Sequence, residues 1–269
     1  MAKDQKIIAY SLSQQTASLS RQTVPELKPL MYDAEKCKIN YPKQLKQLRL
    51  IQPETNTLEV LFVLDEIRDK DVRRLMRYLK TDNGKKIKNL CILSSQLDAE
   101  QAEAILISIT SSNHKIERLS FWENYLSGDL SFLTRINKLS SSLTCLNLGD
   151  NTISGNIEYI VSIINNCHLL EKLHLANTNL DDQDIKQLCI AIKDHPKLHT
   201  LSLNYNEDIT NESFMYIEML LQNNNILQHI NLFGSNIDDC KLEALQEQHQ
   251  EVEIISSRKR GLCSPFLRI

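Results

Sequence analysis

Glycine and proline are scarce in this chain, with six of each among 269 residues. Neither G-x-S-x-G nor H-E-x-x-H occurs, and no glycine-rich loop could cradle a phosphate. The formal net charge is only −3, with acids and bases interspersed, which disfavours nucleic acid and anionic membranes as partners. No apolar run reaches the roughly 18 residues of a membrane span. These absences predict a protein that is not an enzyme and binds no cofactor.

Cysteine occurs seven times but follows no pattern. The chain has no C-x-x-C pair and no cysteine with a histidine at metal-ligand spacing. An odd, scattered set is typical of reduced thiols in a cytosolic protein. We therefore expect no disulfide and no metal site. Because no N-terminal segment has the apolar core of a signal peptide, we also expect a cytoplasmic location.

One pattern, L-x-x-L-x-L-x-x-N-x-L, returns along most of the chain every 27 to 29 residues. It is plainest at Leu143–Ile153, LTCLNLGDNTI, and at Leu170–Leu180, LEKLHLANTNL. The first apolar position of each copy lies at Leu58, Ile87, Ile116, Leu143, Leu170, Leu198 and Leu227. Such regular recurrence predicts about seven stacked repeats.

Hydrophobic periodicity changes within each repeat. Alternating apolar residues such as Leu146 and Leu148 predict a short strand, and later spacings such as Ile185, Leu188 and Ile192 predict an amphipathic helix. The ninth position is Asn124, Asn151 or Asn206 in three repeats and serine or threonine in three others. An amide there could satisfy backbone groups where the chain leaves the strand. Each repeat is thus one strand, one turn and one helix.

The strand-plus-helix unit of about 28 residues resembles the ribonuclease-inhibitor class of leucine-rich repeats. The resemblance implies an α/β, right-handed leucine-rich-repeat solenoid, or horseshoe, with a parallel sheet on its concave face and helices on its convex face. It covers Leu58 to about Gln250. We expect three segments: an N-terminal leader or cap at 1–44, the repeat domain at 45–255, and a basic tail at 256–269. Leu45–Leu50, LKQLRL, is predicted to be a capping strand, and Val252–Ile255 a last strand.

Side chains at positions three, five, seven and eight of each repeat are expected to face solvent on the concave side. Those near the N-terminal end are apolar and include the sole tryptophan, Trp122, which favours an interface. The candidate partner-binding residues are Phe62, Leu64, Leu93, Arg118, Trp122, Glu123, Asp150, Lys172, His174, Tyr205, His229 and Phe233. Alternatively, residues 1–44 fold over Phe62 and Leu64, which would then belong to the core.

The sequence thus predicts a monomeric, non-enzymatic module that binds a protein on its concave face. Its short design with irregular ends resembles effector proteins of intracellular bacteria, which would imply delivery into a host cytosol without a classical signal peptide. Ran-type GTPase activators share the repeat class, so regulation of a small GTPase is the alternative. The basic C-terminal end, Arg258–Arg260, departs from the acidic segment of those activators. A third interpretation is an adaptor in a eukaryotic assembly.

Overall fold

The computed structural model describes residues 48–49, 57–61 and 67–256, the first two segments by their backbone alone. All of them belong to the compact unit Asn40–Ile269. Phe62 and Leu64, the whole of the predicted leader and all of the predicted tail except residue 256 lie outside the described residues.

The described strands form one open sheet in sequence order. The strands are β1 (Leu48–Arg49), β2 (Thr57–Leu61), β3 (Asn89–Leu93), β4 (Arg118–Ser120), β5 (Cys145–Asn147), β6 (Lys172–His174), β7 (Thr200–Ser202), β8 (His229–Asn231) and β9 (Glu253–Ile255). β1 pairs antiparallel with β2, and every later pair is parallel. The register places Leu119, Leu146 and Leu173 side by side. The predicted parallel sheet is confirmed.

Six α-helices lie within the described part of the chain. They are α1 (Asp69–Leu79), α2 (Ala99–Ser111), α3 (Ile157–Asn166), α4 (Asp182–Ile192), α5 (Phe214–Asn223) and α6 (Asp239–Gln248). A short 3₁₀ turn also spans Gly84–Lys86. Asp98 and Asp181 immediately precede α2 and α4, and each forms a complete capping box. In a capping box the side chain of this residue accepts a hydrogen bond from the backbone amide three residues later, and the side chain of that later residue accepts one in return.

The repeat that begins at Ile116 departs from the prediction of an α-helix in every unit. Its helix, Ser131–Leu139, is a 3₁₀ helix of nine residues. A 3₁₀ helix rises about 2.0 Å per residue along its axis, against about 1.5 Å for an α-helix. It therefore spans a given length with fewer residues. Asp129 supports its start by accepting a hydrogen bond from the Ser131 amide, 2.8 Å.

The core lies between the sheet and the helices. Leu146 and Leu148 from β5 and its following turn are completely buried, as are Ile160 of α3 and Ile192 of α4. Each strand and helix buries its apolar side against its own repeat and the next one, so stability depends on stacking.

Buried asparagines connect successive repeats at the carboxyl ends of the strands. Asn124 accepts hydrogen bonds from the amides of Ser95 and Leu97 and donates to the carbonyls of Ile92 and Trp122. Asn151 and Asn206 bond in the same manner one and three repeats later. The predicted structural role of the ninth position is confirmed.

A second set of polar links lies at the opposite, amino ends of the strands. Asn224 donates to the carbonyls of Ile192 and Lys193 and accepts from two backbone amides. One repeat earlier His195 performs the same task, because its Nδ1 accepts from the Leu198 amide at 3.0 Å and its Nε2 lies 3.2 Å from the Cys167 carbonyl. This bonding requires a neutral ring with the proton on Nε2.

Candidate functional site

The candidate residues that the structure describes lie either on the strands of the sheet or just beyond their carboxyl ends. Arg118, Lys172 and His229 share one row across the sheet, since Arg118 pairs with Cys145, which pairs with Lys172, and so on to His229. Arg118 is exposed, while Lys172 and His229 are half-buried. His229 Nδ1 lies 2.9 Å from a Glu253 carboxylate oxygen. The row therefore presents basic groups near the amino ends of the strands.

The fifth-position row is buried, which corrects the expectation that it faces solvent. His174, a predicted partner-binding residue, exposes only 7 % of its surface between the flanking Asn147 and Ser202. Neighbouring parallel strands lie only about 4.8 Å apart, so side chains in one row cover each other. Burial, aided by the charge of Lys172, lowers the pKa of His174 to about 4. His174 offers a partner little surface.

Cys145 and His174 lie on adjacent strands but are not tuned for nucleophilic catalysis. Burial raises the pKa of the Cys145 thiol to about 11, against about 4 for His174. A thiolate–imidazolium pair requires the opposite shifts, because both groups must be charged near neutral pH. Here both are neutral.

The remaining candidates lie at or just beyond the carboxyl ends of the strands. Together with two neighbouring residues they form what we call the carboxyl-edge surface. It comprises Leu93, Trp122, Glu123, Asp150, Tyr205 and Phe233, together with Tyr125 and Asn177, which sequence reasoning did not select. Its side chains are half-buried, except that Tyr205 and Tyr125 are 54 % and 64 % exposed. Tyr125, Asp150 and Asn177 line a groove of about 350 Å³. Tyr125 was missed because it follows the ninth-position asparagine, outside the four positions expected to face the concave side.

Position eight adopts a left-handed backbone in every described repeat of this surface. The residues are Ser94, Glu123, Asp150, Asn177, Tyr205 and Gly234, with φ between 47° and 76°. Asp and Asn tolerate this conformation, whereas a bulky residue such as Tyr205 is strained in it. Because all six repeats share it, the conformation belongs to the turn that follows each strand.

Hydrogen bonds and ring contacts connect the side chains of this surface across repeats. Asn177 Nδ2 donates to Asp150 Oδ1 at 2.7 Å, and the Ser94 hydroxyl donates to the Glu123 carboxylate. Tyr205 contacts Phe233 edge to face, with ring centroids 5.2 Å apart. Ordered polar and aromatic groups of this kind are typical of a protein interface.

The carboxylates give the surface a negative charge. None of the ion pairs found among the described residues involves Glu123 or Asp150. Burial raises the pKa of Asp150, while hydrogen bonds from Asn177 and Trp122 act in the opposite direction. In the described part of the chain, no group of three or more His, Cys, Asp or Glu side chains could hold a metal ion.

Stacked strand–helix units, a parallel sheet and asparagine links between repeats define a leucine-rich-repeat protein. Proteins of this class are in general interaction or recognition modules. None of the helices within the described residues has the length and apolar character needed to span a membrane.

No family model matches the sequence. The chain is 23 % identical over 183 residues to the human NACHT, LRR and PYD domains-containing protein 13, a match that covers 56 % of this chain and 17 % of that protein. A solved structure, TLR13 in its complex with ssRNA13, aligns with 72 % of this chain and 27 % of the TLR13 chain. The aligned structures have a TM-score of 0.39 and 16 % sequence identity. This likeness is too weak to support an argument about what the present chain binds.

Proposed function

We propose that this protein is a non-enzymatic interaction module that binds a protein partner on the concave sheet, with the carboxyl-edge surface as the main contact. The observation that carries the proposal is the concentration of aromatic residues there: Trp122 half-buried, Tyr205 and Tyr125 exposed, and Phe233 beside Tyr205. Tryptophan and tyrosine are the residue types most enriched in binding hot spots.

The charges of the face favour a partner that carries both basic and acidic groups. Glu123 and Asp150 favour a lysine-rich or arginine-rich segment at the carboxyl ends of the strands, and Arg118 with Lys172 favours acidic groups at the amino ends. The two charged rows are separated by the buried fifth row, in which His174 is neutral at pH 7. A partner segment with opposite charges on its two sides would bind in one orientation.

The bacterial-effector, GTPase-regulator and eukaryotic-adaptor interpretations are further proposals that differ in the protein that occupies this face. Identification of the bound protein separates them, and GTP hydrolysis by a captured GTPase, with and without this chain, tests the regulator interpretation directly.

The test is affinity capture from a eukaryotic cell lysate with wild type, Trp122→Ala and Ile190→Ala as baits. Ile190 is 67 % exposed on α4, in the helical layer, and its substitution is the matched control for loss of an apolar side chain. We expect Trp122→Ala to weaken recovery of one protein by about tenfold or more, and Ile190→Ala to leave recovery unchanged. Equal recovery by wild type and Trp122→Ala, with both folded, would overturn the proposal.

A further inference from the structure

The indole ring of Trp122 lies against the backbone of the next repeat. A methyl group added at Gly149 would come within 3.1 Å of Trp122 Cδ1 and 3.2 Å of the Ala176 carbonyl. Gly149 is absent from the glycines with positive φ in the described chain, so its backbone conformation does not require glycine. A side chain at this position would instead crowd the Trp122 ring, the Ala176 carbonyl and Asn147 Oδ1.

The polar edge of the same ring interacts with Asp150. The indole N–H, the single side-chain donor of Trp122, acts on the Asp150 carboxyl in the direction that lowers its pKa. Asn177 Nδ2 donates to Asp150 Oδ1 at 2.7 Å, and the Asp150 amide donates to the Ala176 carbonyl at 2.8 Å. A chain of contacts therefore extends from the turn after β6 through Asp150 to Trp122.

The backbone of Trp122 is fixed as well. Its carbonyl accepts hydrogen bonds from the Ser94 amide, 3.2 Å, and from Asn124 Nδ2, 3.1 Å. Because the backbone is hydrogen-bonded and the ring lies against Gly149 and interacts with Asp150, few rotamers remain open to the side chain. The ring nevertheless stays half-buried, which leaves part of it for a partner.

We infer that Asp150, Asn177 and Gly149 are positioning residues that hold Trp122 in its binding rotamer before the partner arrives. A contact residue that is already ordered loses less side-chain entropy on binding, so the affinity per contact rises. The consequence for binding rests on the proposed function. The positioning itself does not, and it is measurable on the protein alone.

Trp122 is the only tryptophan of the chain, so its fluorescence reports this site directly. Time-resolved anisotropy and acrylamide quenching would be measured on full-length wild type, Asp150→Gly, Asn177→Gly and Asn179→Gly. Glycine is chosen because it fits the positive φ at all three positions. Asn179 is exposed and makes no contact with Asp150 among the described hydrogen bonds, so it is the matched control.

We expect wild type and Asn179→Gly to show a slow, single rotation of the indole. Asp150→Gly and Asn177→Gly should add a subnanosecond component and raise the quenching constant by about twofold, because the freed ring samples other rotamers on the picosecond to nanosecond timescale. Asp150→Asn should restore the wild-type signal, since its amide oxygen can still accept from the indole. Circular dichroism confirms that each variant is folded.

Unchanged anisotropy and quenching in folded Asp150→Gly would overturn the positioning role. That result would leave the proposed function standing, because Trp122 could still contact a partner. Conversely, failure of Trp122→Ala to reduce capture would overturn the function while the fluorescence result stood.

Discussion

Replacement of Asn206 by alanine tests how the repeats are joined. Asn206 is 1 % exposed, and its Oδ1 accepts from the amides of Thr178 and Leu180 at 2.9 and 3.1 Å. Its Nδ2 donates to the carbonyls of Leu175 and Leu203, both at 2.8 Å. One side chain thus satisfies four backbone groups in two repeats.

The substitution removes this partner from all four groups, of which the Leu175 carbonyl keeps the hydrogen bond from the Thr178 hydroxyl at 2.8 Å. A buried polar group that loses its hydrogen bond costs about 1–3 kcal/mol, and a water molecule that enters the vacated space recovers part of this. We therefore expect the free energy of unfolding to fall by about 3–5 kcal/mol, which is a large share of the roughly 5–15 kcal/mol typical of folded proteins.

The assay is urea unfolding followed by circular dichroism, with Asn225→Ala as the control because Asn225 is an exposed asparagine. Asn225→Ala should change the free energy of unfolding by less than about 0.5 kcal/mol. Asn206→Asp should destabilise at neutral pH, because a carboxylate oxygen would face the Leu175 and Leu203 carbonyls. A loss below about 1 kcal/mol for Asn206→Ala would refute the argument that these bonds join the repeats.

Two further predictions concern histidine. In urea unfolding, His195→Asn should change the free energy of unfolding little, because Asn224 makes the equivalent bonds one repeat later. His195→Ala should lower the free energy of unfolding by about 2–4 kcal/mol. Equal losses of stability for the two variants would count against the equivalence. The pKa of His174 is lowered from 6.5 to about 4, so its contribution is fully present above pH 6.5 and is lost as the pH falls towards 4. Between pH 6.5 and pH 4 the free energy of unfolding of the wild type should therefore fall by up to about 3 kcal/mol more than that of His174→Gln. Identical pH profiles of unfolding for the two proteins would contradict the lowered pKa.

The repeat architecture was predictable from sequence because its signals are local and recur many times. The alternation at Leu146 and Leu148 marks a strand, the later spacing marks a helix, and the asparagines mark the turn. Errors in a single repeat do not disturb the prediction when six others carry the same pattern.

The state of individual side chains was less predictable, because it depends on neighbours in other repeats. The burial of His174 results from Asn147 and Ser202 on the flanking strands, about 28 residues away in sequence. The Asp150–Asn177 bond likewise joins two repeats. The repeat positions predicted to face the concave side identify the surface, but they do not predict which of its side chains are exposed.

Several interpretations stay predictions. They include membership of the ribonuclease-inhibitor class, the division of the chain at residues 44 and 255, a cytoplasmic or host-delivered location, and the contact roles of Phe62 and Leu64. The partner-binding roles of the described candidates also depend on experiment.

Site-specific photo-crosslinking tests the central claim most directly. A photoreactive phenylalanine analogue would replace Tyr205 on the carboxyl-edge surface or, separately, Ile190 on α4, since both side chains are more than half exposed. The protein captured from lysate should crosslink strongly from position 205 and weakly from position 190. Strong crosslinking from position 190 with none from position 205 would contradict the account and place the interface on the helices.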